Sequence, residues 1–222
     1  MTGGAGAIGG AIVEALRRDG NEVAVLDRAG DFACDLADER DVRRVANAVL
    51  ERHGRCEILV HAAAAFDRFA LDQFDLARWR AVQTVNVEAA LLLAAAFAPG
   101  MAERGFGRIV FVTSDTVWLA PGPEFIAYIA SKAALEGLTR VLARAYGAAG
   151  ITVNAVEPGL TPTPTSIADI PAEAFASVRE RQAIKRTLEP ADTAAAVAFL
   201  CSEAAGAMTG QTLCADGGLI TR

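Results

Sequence analysis

Short apolar runs alternate along the chain with longer stretches of helical periodicity, the order expected of a parallel sheet with helices on both faces. In residues 7–20, AIGGAIVEALRRDG, the positions Ile8, Ile12, Val13 and Leu16 form one helical stripe and Gly20 stops it. EVAVLD (22–27) reads as a buried strand ending in an acid, and DFACDL (31–36) as a short strand reached with no helix between. That direct step is unusual, because parallel neighbours ordinarily need a crossover of about a dozen residues. An amphipathic helix over 37–54 leads into the strand EILVHA (57–62). Residues 72–104 read as helical, with a break expected near Ala98-Pro99-Gly100, since interior proline breaks or kinks a helix. A strand (107–114), a long helix (124–150) and a strand (151–159) follow. Residues 160–187, rich in Thr and Pro and then mixed in charge, read as a mobile excursion over the strand ends. A helix near 190–203, with Pro190 in its first turn, and a strand over 212–218 close the pattern. No internal repeat or linker interrupts it, so residues 1–222 are expected to form one doubly wound α/β domain.

Composition narrows the function classes. Hydrophobic residues make up 53% and charged residues 22% of 222 positions, which describes a well-buried globular chain. The net charge of −6 implies no basic face, so no nucleic-acid partner is expected. The most apolar stretch, VEAALLLAAAFA (87–98), is too short to span a bilayer and carries Glu88, so no membrane partner is expected either. No secretory signal pattern is read at the start. Cys34, Cys56, Cys201 and Cys214 lack metal-ligand spacing and read as buried free thiols in a reducing, cytoplasmic compartment.

The first ten residues, MTGGAGAIGG, space glycines at 3, 6 and 9. Backbone without side chains lets a pyrophosphate approach, and the helix that follows adds N–H donors and a favourable dipole. Asp27, 18 residues after Gly9 and at a strand end, can accept from both hydroxyls of a ribose and would repel a 2′-phosphate. Arg28 beside it leaves room for NADP. Tyr128 and Lys132 lie at i and i+4, on one helix face. A nearby ammonium favours the phenolate, and lowering a phenol by three pKa units takes about 4 kcal/mol. A bare YxxxK is ordinary surface chemistry. It gains weight from Ser114 at a strand end 14 residues earlier, and from Asn86 on the preceding helix.

Read together, TGGAGAIG, WRAVQTVNV, YIASK, VNAVEPG and MTGQTLCADGG resemble the short-chain dehydrogenase/reductase family in its single-domain form, in order over the whole chain. The resemblance implies a Rossmann-type fold and an oxidoreductase using NAD(H), with NADP(H) the less favoured cofactor. Its substrate would be a small alcohol or ketone. Tyr128 would exchange the proton with the substrate, Lys132 would hold the nicotinamide ribose and depress the tyrosine, Ser114 would bond the substrate oxygen, and Asn86 would position a water in the relay. Gly3, Gly6, Ile8 and Gly9 would hold the pyrophosphate, and Asp27 the adenosine ribose. Asp35 and Leu36 would flank the adenine, with Ala62 on the adenosine side. Pro158, Gly159 and Thr163 would meet the nicotinamide, and no metal is implied. A homotetramer is implied too, pairing the 86–104 and 124–149 helices between subunits.

Several positions depart from the family pattern. Ala7 replaces a loop glycine. HAAA (61–64) stands where Asn-Asn-Ala-Gly is usual, and His61 reads as a structural strand-end residue. The Ser114–Tyr128 gap is one residue longer than usual. The family's first strand, at the sheet centre, is missing ahead of the glycine loop, and the natural chain is expected to start earlier. Trp118, Phe125 and Phe66 are candidate apolar walls of the pocket. The basic positions in VRERQAIKR (178–186) read chiefly as a solvated face. The missing strand and HAAA also leave a non-catalytic, nucleotide-binding scaffold as the alternative reading.

Overall fold

A computed structural model of the chain describes residues 1–221. Among them, helix α1 (Ala7–Arg18) leads to two short strands, β1 (Leu26–Asp27) and β2 (Phe32–Ala33). Then come α2 (Glu39–His53), β3 (Ile58–His61), α3 (Leu76–Gln83), α4 (Ala89–Arg104), β4 (Gly107–Val112) and α5 (Thr116–Leu119). The chain continues through α6 (Ile126–Tyr146), β5 (Ile151–Pro158), α7 (Pro164–Asp169), α8 (Ala172–Arg181), α9 (Pro190–Cys201) and β6 (Thr212–Ala215).

The strands run parallel. β3, β4, β5 and β6 neighbour one another in that order, and β1 pairs with β2. Every residue of β4 and of β5 is buried, as central strands covered on both faces require. One face carries α1 and α9, with Ile12, Leu16, Val110, Val156, Val197 and Leu200 in a shared core cluster. The other carries α2, α4 and α6 over Leu59, Leu93, Phe97, Met101, Ile109 and Val153. β1 and β2 do succeed one another without a helix, Leu26 opposite Phe32 and Asp27 opposite Ala33. Two-residue strands allow this, because the chain climbs back only a residue or two before pairing again.

Several expectations need correction. The strand expected over 22–27 is reduced to Leu26–Asp27. The break expected at Pro99 does not occur, since α4 runs through it to Arg104. Pro99 and Ala95, whose carbonyl loses its donor, are both exposed, so the helix tolerates the proline where solvent can reach that carbonyl. The irregularity lies upstream, in a five-residue π turn (Thr84–Glu88) joining α3 to α4. By length and apolarity the run Leu76–Arg104 could cross a membrane, yet Ala90, Leu93, Phe97 and Met101 form a buried stripe against the sheet. Finally, the strands expected over 31–36 and 212–218 are shortened to Phe32–Ala33 and Thr212–Ala215, while residues 160–187 carry α7 and α8. The four cysteines are free; Cys34 and Cys201 are buried, whereas Cys56 is half-buried and Cys214 exposed.

Among the described residues, Met1 and Thr2 alone stand between β1 and β3, where a central strand would lie. Thr2 forms isolated parallel bridges to Leu26 on one side and His61 on the other. Its N–H donates to Val60 O at 3.0 Å, and Leu26 N–H donates to Met1 O at 2.8 Å. Below Met1 a cavity of about 330 Å³ separates Val23, Ala24 and Leu26 from Ile58, Leu59 and Val60. The Met1 ammonium sits at its head, donating to Ala24 O at 2.7 Å, and burial lowers its pKa. An amide nitrogen there would keep that bond without a buried charge.

Five β-forming apolar residues joined ahead of Met1 are therefore expected to enter this slot and pair with both edges. At about 1 kcal/mol per net hydrogen bond, with side-chain burial besides, the melting temperature should rise by roughly 10 °C or more. A Gly-Ser extension of equal length should leave it unchanged. Equal melting temperatures for the two extensions would refute strand insertion.

Candidate active site

The chemistry-bearing side chains gather at the carboxyl ends of β3, β4 and β5. The glycine loop is delivered there by Thr2. Its hydroxyl accepts from Ala63 N–H at 3.3 Å and lies 3.0 Å from His61 Nδ1. His61 is fully buried. Burial, and then the charge of Lys132, hold its pKa down at about 3, so the ring is neutral. Nε2 is buried and has no hydrogen-bond partner among the described residues.

Gly3 has φ of +70°, and a Cβ there would stand 2.5 Å from Ala63 N. A Cβ on Gly9 would meet Gly3 O at 1.9 Å. The loop is thus folded as tightly as backbone permits, and Gly6 caps α1 without a side-chain acceptor. That leaves first-turn N–H groups, Ile8 among them, for an anion. Asp27 reaches the loop, accepting from Ala5 N–H at 3.1 Å and Arg28 N–H at 2.7 Å. Asp35 is exposed and accepts from Ala37 N–H, whereas the Leu36 side chain packs into the core. Ala62 packs partly buried beside the loop's strand. Pro158 ends β5 and is buried with Gly159. Thr163 caps α7, accepting from Ser166 N–H at 3.1 Å.

Four residues expected to work together are brought together. Lys132 is 1% exposed, and its ammonium donates to Val112 O at 2.8 Å. An ammonium has three donors, so two remain for a ligand. Nζ lies 5.5 Å from the centre of the Tyr128 ring. Tyr128 is half-buried, and the Ser114 hydroxyl neighbours its phenol. Ser114 Oγ accepts from the Thr116 hydroxyl at 2.9 Å. Asn86 is fully buried in the π turn and engaged at both ends of its amide: Oδ1 accepts from Ala65 N–H at 2.6 Å, and Nδ2 donates to Ala65 O and Ser131 Oγ. Its side chain pins the 62–66 segment to the helix, and one lone pair of Oδ1 stays uncommitted.

Desolvation sets the protonation states. It pushes the Tyr128 phenol up to about 12 against a smaller opposing effect of Ser114, and it lowers Lys132 to about 8. With its phenol raised in this way, Tyr128 is protonated at neutral pH in the free chain.

Sequence reasoning missed a group of buried carboxylates beside Ser114. Asp115, Glu157 and Asp216 are each at most 4% exposed. Glu157 accepts from the Trp118 indole and the Cys214 thiol, both at 2.8 Å, and Asp216 accepts from Gly218 and Ile220 N–H. Asp115 Oδ2 has no hydrogen-bond partner. Burial, followed by the charges of Asp216 and Glu157, raises Asp115 to about 7. The signal was present: SDTVW, VEPG and ADGG each place an acid at or just beyond a strand's carboxyl end.

A family model described as enoyl-(acyl carrier protein) reductase matches residues 3–220. The probable galactose dehydrogenase of Rhizobium meliloti (strain 1021) is 34% identical over 239 residues, covering 99% of this chain and 93% of its own. Among solved structures, the TT0495 protein of Thermus thermophilus has a TM-score of 0.92 at 36% identity, covering 98% of this chain and 96% of that one. A candidate NAD(P)-dependent gluconate 5-dehydrogenase from Beutenbergia cavernae, holding NADP at low occupancy, has a TM-score of 0.91 at 33% identity, covering 98% and 94%.

The Asp115 environment has a measurable consequence. Its folded pKa lies above the unfolded value of 3.8, so its contribution to stability falls as pH rises from there through about 7. Asp115→Asn is expected to be more stable than the parent at pH 8, by up to about 4 kcal/mol, with the difference vanishing near pH 4. Melting curves at both pH values check this. A difference independent of pH would show that Asp115 is not the titrating group.

Proposed function

The chain belongs to the short-chain dehydrogenase/reductase family, and we propose that it interconverts a secondary alcohol and a ketone with NAD(H). The observation that carries this reading is the convergence of Ser114, Tyr128 and Lys132 at one end of the sheet, with the phenol desolvated and the buried ammonium keeping two donors.

The residues present fit a dinucleotide: the loop backbone at Gly3 and Gly9 closes to a space no side chain could share, and the α1 N-terminus is uncapped. Gly3, Gly6, Ile8 and Gly9 hold the pyrophosphate, Asp27 the adenosine ribose, and Asp35, Leu36 and Ala62 flank the adenosine, Leu36 through its backbone. Lys132 holds the nicotinamide ribose, and Pro158, Gly159 and Thr163 line the nicotinamide side. Bound nicotinamide supplies the hydride acceptor or donor. Ser114 Oγ orients the substrate oxygen toward the phenol. In reduction Tyr128 gives its proton to that oxygen as the carbonyl carbon gains the hydride; in oxidation the proton returns. Asn86 holds the 62–66 segment in place. Residues 160–187, with α7 and α8, cover the substrate.

Asp27 supports NAD(H), because its carboxylate stands against the loop where a 2′-phosphate would meet it. Exposed Leu91 on α4 and Val141 on α6 support pairing of those helices in a homotetramer. The four free thiols support a cytoplasmic setting.

Tyr128→Phe is expected to lower turnover by at least about 100-fold while retaining NADH binding, read by energy transfer from Trp79 and Trp118. Unchanged turnover in this variant would sink the mechanism. NADH should bind at least about tenfold more tightly than NADPH, the factor carried by 1.4 kcal/mol, and Asp27→Ala should erase the difference. Titrations that favour NADPH in the parent chain would assign the cofactor the other way.

A further inference from the structure

The wall beyond Tyr128 carries a cation that the reaction described above does not use. Phe66 stands edge-on to the Tyr128 ring, centroids 4.9 Å apart, and 5.6 Å from the Phe125 ring. Arg68 lies over both phenylalanines, its guanidinium carbon 5.2 Å from the Phe66 centroid and 5.0 Å from that of Phe125. A single aromatic ring therefore separates this guanidinium from the ring of the proton-donating phenol.

Stacking engages only the faces of a guanidinium. Its five N–H donors lie in the plane and stay free for a planar, bidentate acceptor, an arrangement lysine cannot reproduce. Among the described residues none takes them. Asp67 is committed to Arg78, which donates to it through two nitrogens. The Glu124 carboxylate folds back over Gly122.

The backbone that carries Arg68 is fixed on three sides. Arg78 donates to Arg68 O at 3.0 Å, Phe69 N–H donates to Glu124 O at 3.1 Å, and Asn86 holds both backbone groups of Ala65. Phe69 itself is buried, under the Arg78 guanidinium. A fixed platform lowers the ordering cost of recognition. The chain's net charge of −6 gives no general attraction for anions, so an acidic substrate would need a local cation of this kind.

We propose that Arg68 determines specificity by taking the carboxylate of an oxo or hydroxy acid whose reacting carbon lies at Tyr128. The carboxylate and the reacting carbon are set about one ring apart, and the flanking phenylalanines suit an aromatic or other apolar spacer between them. This assignment rests on the hydride-transfer reading of the site, and it makes the substrate class a carboxylic acid bearing a remote carbonyl or secondary alcohol.

The test is a matched pair of ketones, 4-acetylbenzoate and acetophenone, reduced with NADH by the parent chain, Arg68→Gln and Arg68→Lys. The parent is expected to favour the acid at least tenfold in kcat/KM, chiefly through KM. Arg68→Gln should reduce that ratio at least tenfold, and Arg68→Lys should fall between. A ratio near one in the parent, or a ratio that survives in Arg68→Gln, overturns the proposal. Should neither ketone be reduced, the hydride-transfer reading fails separately, and calorimetric titration of 4-acetylbenzoate still decides the anion site. Saturable binding to the parent that is lost in Arg68→Gln keeps the site; no binding, or equal binding to both, removes it.

Discussion

The structure depends on the two-sided pairing of Thr2. Its backbone bridges to Leu26 and His61 join β1 and β2 to the four-stranded sheet, and its hydroxyl is shared between His61 and Ala63. With a cavity directly below Met1, the glycine loop, the Asp27 carboxylate and the 62–66 segment all take their positions from this contact. A contact so small holds because neighbouring layers already fix both sides. α1 packs on α9, α2 packs on α4, and the bridge has only to close a gap between bodies held in place.

At the strand ends, one physical effect sets the character of three ionisable groups. Desolvation raises Tyr128 and Asp115 and lowers Lys132. It keeps the phenol protonated, lowers the ammonium while leaving it charged at neutral pH, and leaves a carboxyl beside Ser114 poised near neutrality. A hydrogen-bonded polar set lies beside these groups. Asn86, Ser131 and Ala65 form a closed set of hydrogen bonds, and the π turn places Asn86 where it can reach both the loop segment and α6. The placement of Tyr128 thus depends in part on Ser131, whose hydroxyl donates to Tyr128 O and accepts from Asn86.

Element order, the parallel arrangement and the helix stripes were legible in the sequence, because burial of one face imposes a period that local composition records. The glycine loop, Asp27, Ser114, Tyr128 and Lys132 were legible for a related reason: each sits at a boundary between a strand and a turn or helix, or on one helix face, where spacing alone brings groups together. What spacing cannot carry is decided by partners distant in sequence. Pro99 kept its helix because Ala95 opposite its missing donor faces water. Residues 22–25 form no strand ladder on the Met1 side, where a cavity lies between them and β3; Ala24 O accepts from the Met1 ammonium and Val25 O from Phe32 N–H. The side chain of Asn86 was taken up by Ala65 and Ser131, and the buried acids became a group only when three strand ends were set side by side. Arg68 carries no motif at all. Its place over Phe66 and Phe125 exists only because the segment after β3 folds against the turn before α6, a contact between residues more than fifty positions apart. The sequence by itself determined the layers and the chemistry available at their edges, since both follow from local periodicity. Tertiary structure alone decided charge states and which donors remained open, since those depend on what is excluded from water and by which neighbour.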